Sequence, residues 1–543
     1  MRKTILVTSA LPYANGSIHL GHMAEKIQAD IWVRFQRCQG HTCHHFCADD
    51  AHGTPVMLSA QKLGLDPAEY VKTIQAEHQA DFEGFGVDFA AYHSTHSAEN
   101  QVLSHQFYAK MCEKKALREQ EVAQCYCPKC AMFLPDRFVK GDCPRCHTPD
   151  QYGDSCENCA ATYDPSELIN AHCATCGSSP EVRKSTHLFF KLAEFEAPIR
   201  AWLNSGAVRP EIVNKLDEWF TQGLKDWCIS RDAPYFGFEI PDKPGKYFYV
   251  WVDAPIGYLA SMQIWAQAQG QSLDSLWTTP NQNQTKIYHF IGKDILYFHT
   301  LFWPAMLHVA DLALPNAVFV HGFLTVNGEK MSKSRGTFIN AGDYLAVLPP
   351  EYLRYYLASK LNPTVEDLDF GVQDFVFKVN ADIVNKVVNI GSRLGSVLHK
   401  KCGGALTTPD PEGQALLDKA KAEIPAIAQA YEALDLALAT RKMMAIADDI
   451  NKFIDEKAPW SVANTDPALA AQVCTTGLNG LYLLAGLLQP ITPQLTQGIL
   501  AFLEVSLTTW SDLSQTLTQH PIQPYQHLAK RLELGVVEGL LGK

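Results

Sequence analysis

The sequence predicts an α/β Rossmann-type core that is split by a Cys-rich insertion and followed by an all-α helical bundle. Three observations predict this architecture. A strand–loop–helix pattern opens the chain, eight cysteines crowd into residues 127–176, and apolar residues recur at spacings of three and four from about residue 370 to the end. The 543 residues suffice for several domains, and 47% hydrophobic with 19% charged residues is typical of a soluble globular protein.

The first half of the predicted core begins with a strand over residues 3–10, passes through the loop LPYANGSI and enters a helix at His19. The opening apolar run is short and Pro12 ends it, so it predicts a strand and not a signal peptide. A second strand-like run covers residues 45–53, and residues 60–115 have a mostly helical pattern. Because such folds bind ligands at the carboxyl ends of their strands, we expect the following loops to form a site.

Two apolar runs, 246–255 and 286–294, predict strands of the second half of the parallel sheet. The longest uncharged stretch, 468–503, is interrupted by Gly and Pro and predicts a bundle helix, so we expect a cytoplasmic protein without a membrane span. The predicted units are 1–115 and 231–322 for the two halves of the core, 116–230 for the insertion, 323–377 for a connecting region, and 378–543 for the bundle and C-terminal tail.

The insertion contains four C-x-x-C pairs: Cys127/Cys130, Cys143/Cys146, Cys156/Cys159 and Cys173/Cys176. Each pair offers two thiolates to one metal, and four thiolates complete a tetrahedral zinc site. In a cytosolic chain this spacing indicates metal ligation before disulfides. Eight ligands therefore predict two structural zinc sites, although spacing alone leaves the partnership of the pairs open.

His19-Leu20-Gly21-His22 lies where the first loop enters the first helix. Backbone N–H groups are free at a helix start and the helix dipole favours negative charge, so this position suits nucleotide phosphates. Two histidines could donate hydrogen bonds to them, and Gly21 would let an adenine ring approach the backbone. Alone, the pattern is equally compatible with two surface histidines.

The run Lys330-Met331-Ser332-Lys333-Ser334 lies between Gly328 and Gly336. Two cations in a flexible loop suit a group whose charge changes during reaction, such as a departing pyrophosphate. The alternative is a solvated basic loop.

In this order the two motifs resemble those of class I aminoacyl-tRNA synthetases. Five further blocks resemble the methionyl-tRNA synthetases in particular: LPYANGSIHLGH (11–22), ADDAHGTP (48–55), SRDAPYFG (230–237), VWVDAPIGY (250–258) and IGKDILYFH (291–299). The resemblance covers essentially the whole chain. It implies that MgATP activates L-methionine to methionyl-adenylate, with release of pyrophosphate, before transfer to initiator and elongator tRNA(Met). It also implies a catalytic core, a zinc-binding connective insertion, a stem-contact region and an anticodon-binding bundle.

The resemblance assigns roles to individual residues. His19, His22, Lys330, Lys333 and Arg231 would be catalytic, and ATP would also contact Gly21 and Asp294. Asp50 would pair with the ammonium group of methionine, while Tyr258 and His299 would reach its sulfur. The complete predicted methionine pocket is Leu11, Tyr13, Asp50, Trp251, Ala254, Pro255, Tyr258, Ile295 and His299. Each apolar member could instead belong to the core, and Asp50 could cap a helix.

The resemblance also implies nested zinc sites. The inner site would use Cys143, Cys146, Cys156 and Cys159. The outer site would use Cys127, Cys130, Cys173 and Cys176.

Residues 379–401 predict a helix on which Lys386, Asn389, Arg393 and Lys400 share one face. This basic stripe stands out in a chain whose formal charge is −12. The resemblance places recognition of the CAU anticodon on Asn389 and Arg393, with Trp460 stacking on a base. The alternatives are a solvated helix face and a tryptophan in the bundle core.

Two other functions are compatible with parts of this pattern. A small-molecule nucleotidyltransferase also uses an HxGH motif but has no need of a long helical tail. A non-catalytic zinc protein that binds RNA would explain the cysteines but not both phosphate motifs. Because the chain ends soon after the predicted bundle, we expect a monomer.

Overall fold

The computed structural model describes residues 2–135, 138–153, 155–156, 158–159, 161, 163–277, 285–331 and 337–541, with the side chain of Lys330 outside the description. The first half of the core follows the predicted order, except that a short strand interrupts the helical stretch after residue 60. Its elements are β1 (Thr4–Ser9), α1 (Leu20–Cys38), β2 (Thr42–Asp49), α2 (Thr54–Leu63), α3 (Pro67–Gly84), β3 (Ala91–Ser94) and α4 (Ala98–Glu113).

The insertion is built on a long antiparallel hairpin that pairs from Leu117 opposite Phe190 to Tyr126 opposite Glu181. A small three-stranded sheet lies within the chain segment that this hairpin encloses. The elements are β4 (Leu117–Cys127), β5 (Met132–Phe133), β6 (Val139–Asp142), β7 (Gln151–Tyr152), β8 (Ile169–Cys173), β9 (Glu181–Phe190), α5 (Glu196–Trp202), α6 (Pro210–Gln222) and β10 (Trp227–Cys228).

The second half of the core completes a parallel five-stranded sheet in the order β14-β13-β1-β2-β3. Ile5 of β1 pairs with Lys286 on one side and with Cys43 on the other, so β1 is central. The elements are β11 (Ser230–Asp232), β12 (Lys246–Phe248), α7 (Val250–Asp253), α8 (Ile256–Ala268), β13 (Lys286–Gly292), α9 (Trp303–Val309) and β14 (Ala317–His321).

The strand predicted over residues 246–255 is wrong. Only β12 is extended there, it pairs antiparallel with β11 outside the main sheet, and the apolar run continues as helix α7. A short apolar run fits a buried strand and a buried helical turn equally well, which explains the error. The fourth and fifth parallel strands are β13, which was predicted, and β14, which was not.

The rest of the chain is mainly helical. Its elements are β15 (Leu324–Val326), β16 (Glu329–Lys330), α10 (Ala341–Leu345), α11 (Pro350–Lys360), β17 (Leu368–Phe370), α12 (Val372–Lys378), α13 (Asn389–Lys401), β18 (Ala405–Leu406), α14 (Pro411–Lys421), α15 (Ile424–Glu432), α16 (Leu436–Lys457), α17 (Pro459–Val462), α18 (Pro467–Leu488), α19 (Pro493–Phe502), β19 (His520–Pro521) and α20 (Leu534–Glu538). A π-helical segment, Val379–Val388, joins α12 to α13, so the helix predicted over 379–401 is continuous but not α-helical throughout.

One hydrophobic core extends from the first helix of the Rossmann fold into the bundle. It includes Ile27 and Phe35 of α1, Tyr355 of α11, and Leu484 of α18. Helix α18 is apolar enough to cross a membrane by composition, but 83% of its most apolar window is buried inside the protein. It is therefore a core helix of the bundle. The shared core fixes α1 between the parallel sheet and the bundle.

Candidate active site, cysteine clusters and bundle face

A cleft of about 880 Å³ opens at the carboxyl ends of the parallel strands. Strand β1 has β2 on one side and β13 on the other, which creates the crevice that doubly wound sheets use for ligands. The structure brings ten of the predicted site residues to this cleft: Leu11, Tyr13, His19, Gly21, His22, Asp50, Arg231, Trp251, Asp294 and Ile295.

The two histidines of the HLGH motif cap α1 with their side chains. Nδ1 of His19 accepts a hydrogen bond from the Gly21 N–H at 3.1 Å, and Nδ1 of His22 accepts one from the His19 N–H at 3.3 Å. Burial, reinforced by neighbouring His19 and Lys26, holds the pKa of His22 well below its ordinary value. A neutral imidazole that accepts at Nδ1 carries its proton at Nε2. The capping geometry therefore gives both neutral rings an Nε2–H donor.

Met331 of the second motif lies against the first motif. A Cβ added to Gly21 would stand 2.5 Å from Cε of Met331, so a larger residue at position 21 would force Met331 aside. Strand β16 places the backbone of Lys330 opposite Thr325. The side chain of Lys330 and the whole of Lys333 lie outside the described residues.

A smaller cavity of about 60 Å³ contains most of the predicted methionine pocket. Its lining comprises Leu11, Asp50, Trp251, Ala254, Pro255, Tyr258, Ile295, Phe298 and His299. Phe298 was not predicted, although it lies inside the block IGKDILYFH that pointed to this region. Tyr13 lines the adjoining cleft instead, where its hydroxyl donates to the backbone carbonyl of His52 at 2.8 Å.

The polar floor of this cavity is neutral and internally hydrogen-bonded. Nδ1–H of His299 donates to the Ile295 carbonyl at 3.1 Å, so Nε2 accepts the Tyr258 hydroxyl at 2.9 Å. Burial lowers the pKa of His299 to about 4. The Tyr258 ring stacks on buried His289, whose Nε2 accepts the indole N–H of Trp303 at 3.1 Å. Such a floor suits an uncharged, polarizable thioether.

Asp50 differs from this neutral floor because its carboxyl group can carry a negative charge. Burial raises the pKa of its carboxyl well above the ordinary value, and nearby Asp253 and Asp49 add to the effect. Its Oδ1 is buried without a hydrogen-bond partner among the residues that the structure describes. A buried carboxylate without compensation is costly, so it favours a cationic ligand.

Asp253 hydrogen-bonds to His52. Sequence reasoning missed this pair, although both residues lie in quoted blocks.

Arg231 and Asp294 lie at the rim of the cleft. The Arg231 guanidinium stacks 3.9 Å from the ring centre of Tyr249 and donates to the Ser230 carbonyl at 2.8 Å. Tyr249 was not predicted, although it lies in the aromatic run before α7. A Cβ at Gly292 would stand 2.5 Å from Oδ1 of Asp294, so only glycine leaves room for this carboxylate at the end of β13.

The eight knuckle cysteines form two clusters, each with its sulfurs within 4.8 Å of one another: Cys127, Cys130, Cys173 and Cys176, and Cys143, Cys146, Cys156 and Cys159. This is the nested grouping. Sulfur–sulfur contacts measure 3.4 and 3.9 Å in the outer cluster and 3.5 and 3.7 Å in the inner cluster. Four sulfurs about 2.3 Å from one zinc stand about 3.8 Å apart, whereas a disulfide is about 2.0 Å long. Both clusters therefore fit a tetrahedral metal.

The predicted anticodon face lies where α13 meets α16 and α17. Trp460 is 37% exposed and is therefore not a core residue, and the Arg393 guanidinium lies 4.6 Å from its ring centre. Arg393 forms an ion pair with Asp455, and Lys386 forms one with Asp448 at 2.9 Å. Asn389 is half-buried at the start of α13. Acidic residues of α16 thus partly neutralise the predicted basic stripe.

Comparison with known proteins gives two family matches. Residues 5–395 match the family described as tRNA synthetases class I (M), and residues 404–525 match the anticodon binding domain of methionyl tRNA ligase. The structure is similar to Mycobacterium tuberculosis methionyl-tRNA synthetase in complex with methionyl-adenylate, with 23% identity, a TM-score of 0.79 and coverage of 97% of this chain and 99% of that chain. The apo form of the same organism's enzyme matches at 21% identity and a TM-score of 0.73, covering 98% and 99%. At these identities the likeness establishes a common fold.

Proposed function

This chain belongs to the class I methionyl-tRNA synthetases and is an ATP-dependent methionine–tRNA ligase, and on that premise we propose how its residues divide the work. Asp50 pairs with the α-ammonium group of methionine. The thioether side chain enters the cavity floored by Tyr258 and His299. Arg231 orients the carboxylate toward ATP, which arrives as its Mg²⁺ complex.

In the activation step, the methionine carboxylate attacks the α-phosphate in line and pyrophosphate leaves. We assign His19 and His22 as Nε2–H donors to the phosphates, and Lys330 and Lys333 as cations that stabilise the departing charge. Asp294 contacts the ATP ribose, and Gly21 admits the adenine. The observation that carries this proposal is the buried Oδ1 of Asp50, which has no hydrogen-bond partner among the described residues and lies beside a cavity with a neutral floor. Asp50 also lines the same cleft as the two capping histidines.

The remaining assignments concern the rest of the chain. Each cysteine cluster holds one structural Zn²⁺, which cross-links the insertion. The CAU anticodon of initiator and elongator tRNA(Met) is read by Trp460, Arg393 and Asn389. Transfer of methionine to the tRNA takes place in the catalytic core. The units are 1–115, 116–230, 231–322, 323–377 and 378–543, as inferred from the sequence. We place the protein in the cytoplasm as a monomer.

Methionine-dependent exchange between ATP and pyrophosphate tests the activation step. His19→Ala and Lys333→Ala should each lower the rate of adenylate formation by roughly a hundredfold or more, with a smaller change in methionine affinity, because both groups act mainly on the transition state. His308→Ala, which removes an exposed histidine on α9, is the matched control. Wild-type activation by Lys333→Ala or His19→Ala would refute that residue's assigned role.

A further inference from the structure

His78 lies on α3 and is completely buried between two segments of the active site. Its Nδ1 is 2.7 Å from Oδ1 of Asp49, and its Nε2 is 2.7 Å from the carbonyl oxygen of Gly16. Asp49 ends β2 directly before Asp50, and Gly16 lies in the loop that leads to His19. One imidazole ring therefore bridges the segment that carries the proposed ammonium ligand and the segment that carries the proposed phosphate donors.

The partners of His78 fix how many protons the site holds. The Gly16 carbonyl can only accept a hydrogen bond, so Nε2 carries a proton. A second proton must occupy the contact between Nδ1 and Asp49, whichever of the two atoms holds it, because two lone pairs would otherwise face each other. The Tyr92 hydroxyl donates to the same carboxylate oxygen at 2.5 Å. The His78–Asp49 pair therefore bridges both segments only while it holds two protons.

We propose that His78 is a positioning residue for methionine activation. With two protons held by the His78–Asp49 pair, its ring fixes the β1–α1 loop against the end of β2. The proposal rests on the assigned roles of His19, His22 and Asp50. His78 acts through the backbone of Gly16 and the carboxylate of Asp49.

The surroundings of His78 determine the pH range in which this bridge exists. Asp49 faces the ring from β2, Tyr92 reaches the same carboxylate from β3, His22 lies nearby on α1, and Glu77 and Asp81 flank His78 on α3. Burial opposes the charge, but the hydrogen bond to Asp49 and its negative charge raise the pKa of His78 above the ordinary value. A raised histidine pKa means that the bridge is complete at low pH and is lost as pH rises through that pKa.

Loss of the shared proton has a defined structural consequence. Neutral His78 has one N–H and faces two acceptors, so it can hold either Gly16 or Asp49 but not both. Releasing Gly16 frees the loop before His19, and releasing Asp49 leaves a buried carboxylate next to Asp50 without its charged partner. Because misplacement of reacting groups by about 1 Å can cost on the order of a hundredfold in rate, activation should decline at alkaline pH.

The test compares His78→Gln with the wild type in methionine-dependent ATP–pyrophosphate exchange from about pH 6 to about pH 10. Glutamine is similar in size but does not titrate and cannot span both acceptors. We expect kcat to fall roughly 10- to 100-fold while the KM for ATP stays within about threefold, and the alkaline decline of the wild type to disappear. His93→Gln is the matched control, because His93 lies on β3 and forms a partly buried pair with Glu99 that involves neither Gly16 nor Asp49.

Tyr92→Phe provides a second test if His78→Gln fails to fold. It removes a donor from Asp49 and leaves His78 in place, so the carboxylate becomes more basic and the alkaline decline should move to higher pH. If His78 were needed only for packing, Tyr92→Phe would leave the pH dependence of activity unchanged.

Three results would overturn the proposal: a flat wild-type profile, wild-type activity in His78→Gln, or an unshifted alkaline decline in Tyr92→Phe. Absence of methionine-dependent exchange in the wild type itself would instead refute the proposed function.

Discussion

Asp50 and His299 line the same cavity, and their pKa values are shifted in opposite directions. Burial raises the pKa of the Asp50 carboxyl and lowers that of His299 to about 4. Both groups therefore favour their neutral forms when no ligand is present. A zwitterionic amino acid with an uncharged side chain would match this pair, because its ammonium group would favour the Asp50 carboxylate while its side chain would contact a neutral floor.

The raised pKa of Asp50 leads to a pH prediction. The Asp50 carboxylate, which we propose pairs with the ammonium group, predominates only above this raised pKa. The apparent affinity for methionine should therefore weaken as pH falls toward it, beginning above the usual carboxyl range. Asp50→Asn should abolish that dependence and cost about 2–5 kcal/mol of methionine binding. The KM for methionine in the exchange assay, measured across pH, checks both points. An Asp50→Asn enzyme with wild-type KM would contradict the assignment.

Trp460 allows a prediction about tRNA. One aromatic–base stacking contact is worth about 1–3 kcal/mol, so Trp460→Ala should reduce charging of a CAU tRNA roughly 5- to 150-fold. Methionine-dependent exchange needs no tRNA and should survive. Because the indole is 37% exposed, thermal melting should change little. Leu469→Ala, a similarly exposed site at 38% on α18 of the same bundle, is the control. Unchanged charging by Trp460→Ala would contradict the assignment.

The blocks that carry the family resemblance contain most of the residues that line the smaller cavity, and two of these blocks lie at the carboxyl ends of strands β1 and β2 of the parallel sheet, where α/β folds place ligands. Their individual roles remain predictions. Phe298 was missed because the direction in which its side chain points depends on the exact helical turn, and Tyr249 because it lies at the change from β12 to α7, which an aromatic run does not locate. His52 and Asp253 were missed because their contact joins residues far apart in the chain.

At the scale of elements, the β4–β9 hairpin places the two cysteine clusters in different surroundings. The outer cluster has completely buried Cys127 and Cys173, and its apolar neighbourhood includes Leu58 of α2 in the core. Pro135, which follows β5, lines the large cleft. The inner cluster also has two buried cysteines, Cys143 and Cys156, but its Cys159 is exposed. A metal in the outer cluster would therefore order the rim of the active site, whereas one in the inner cluster would order only the insertion.

This difference predicts unequal effects of losing each metal. Elemental analysis should find about two zinc ions per chain, and either Cys173→Ser or Cys159→Ser should reduce the content to about one. Cys173→Ser should lower the melting temperature by several degrees and reduce methionine activation, whereas Cys159→Ser should affect activation far less. Cys112→Ser removes an exposed cysteine outside both clusters and serves as the control. Equal effects of the two variants on activation would contradict this interpretation.

The patterned start of the chain was predicted well, as β1 and α1 demonstrate, and the insertion was predicted from the spacing of its cysteines. Residues 246–255 were not, because their apolar character reflects burial and burial is compatible with both β12 and α7. The π-helical turns of Val379–Val388 also have no clear signature in the spacing of apolar residues.

At the scale of the whole molecule, α11 connects the catalytic core to the bundle through buried charges. Arg354 pairs with Asp30 of α1 at 2.7 Å and donates to the carbonyls of Ile491 and Pro490 at 2.7 and 3.0 Å, at the C-terminal end of α18. Glu351 accepts backbone N–H groups of Gln494 and Leu495 at the start of α19. Each charge complements the helix end that it contacts. The turn between α18 and α19 is therefore fixed relative to α1.

Removing one charged member of this arrangement should lower the free energy of unfolding substantially. Arg354→Met leaves the Asp30 carboxylate with less compensation in the core and should destabilise the protein by about 3–5 kcal/mol, whereas Asp30→Asn combined with Arg354→Met should recover part of the loss. Denaturant unfolding measures both. Lys360→Met, on the same helix, breaks a partly exposed pair with Asp374 and should cost about 0–1 kcal/mol. The idea fails if Arg354→Met unfolds at the wild-type midpoint.

The core shared by α1 and the bundle restricts how this architecture can be recombined. An autonomous module brings its own hydrophobic core and can be exchanged at a linker. Here Phe35 of α1 stacks on Tyr431 of α15, so a cut before the bundle would expose the apolar face of the helix that His19 caps. A chimera with a different C-terminal domain would have to provide apolar surfaces that match the faces of α1 and α11. The packing of α1 against the bundle therefore makes the catalytic core and the bundle difficult to exchange independently.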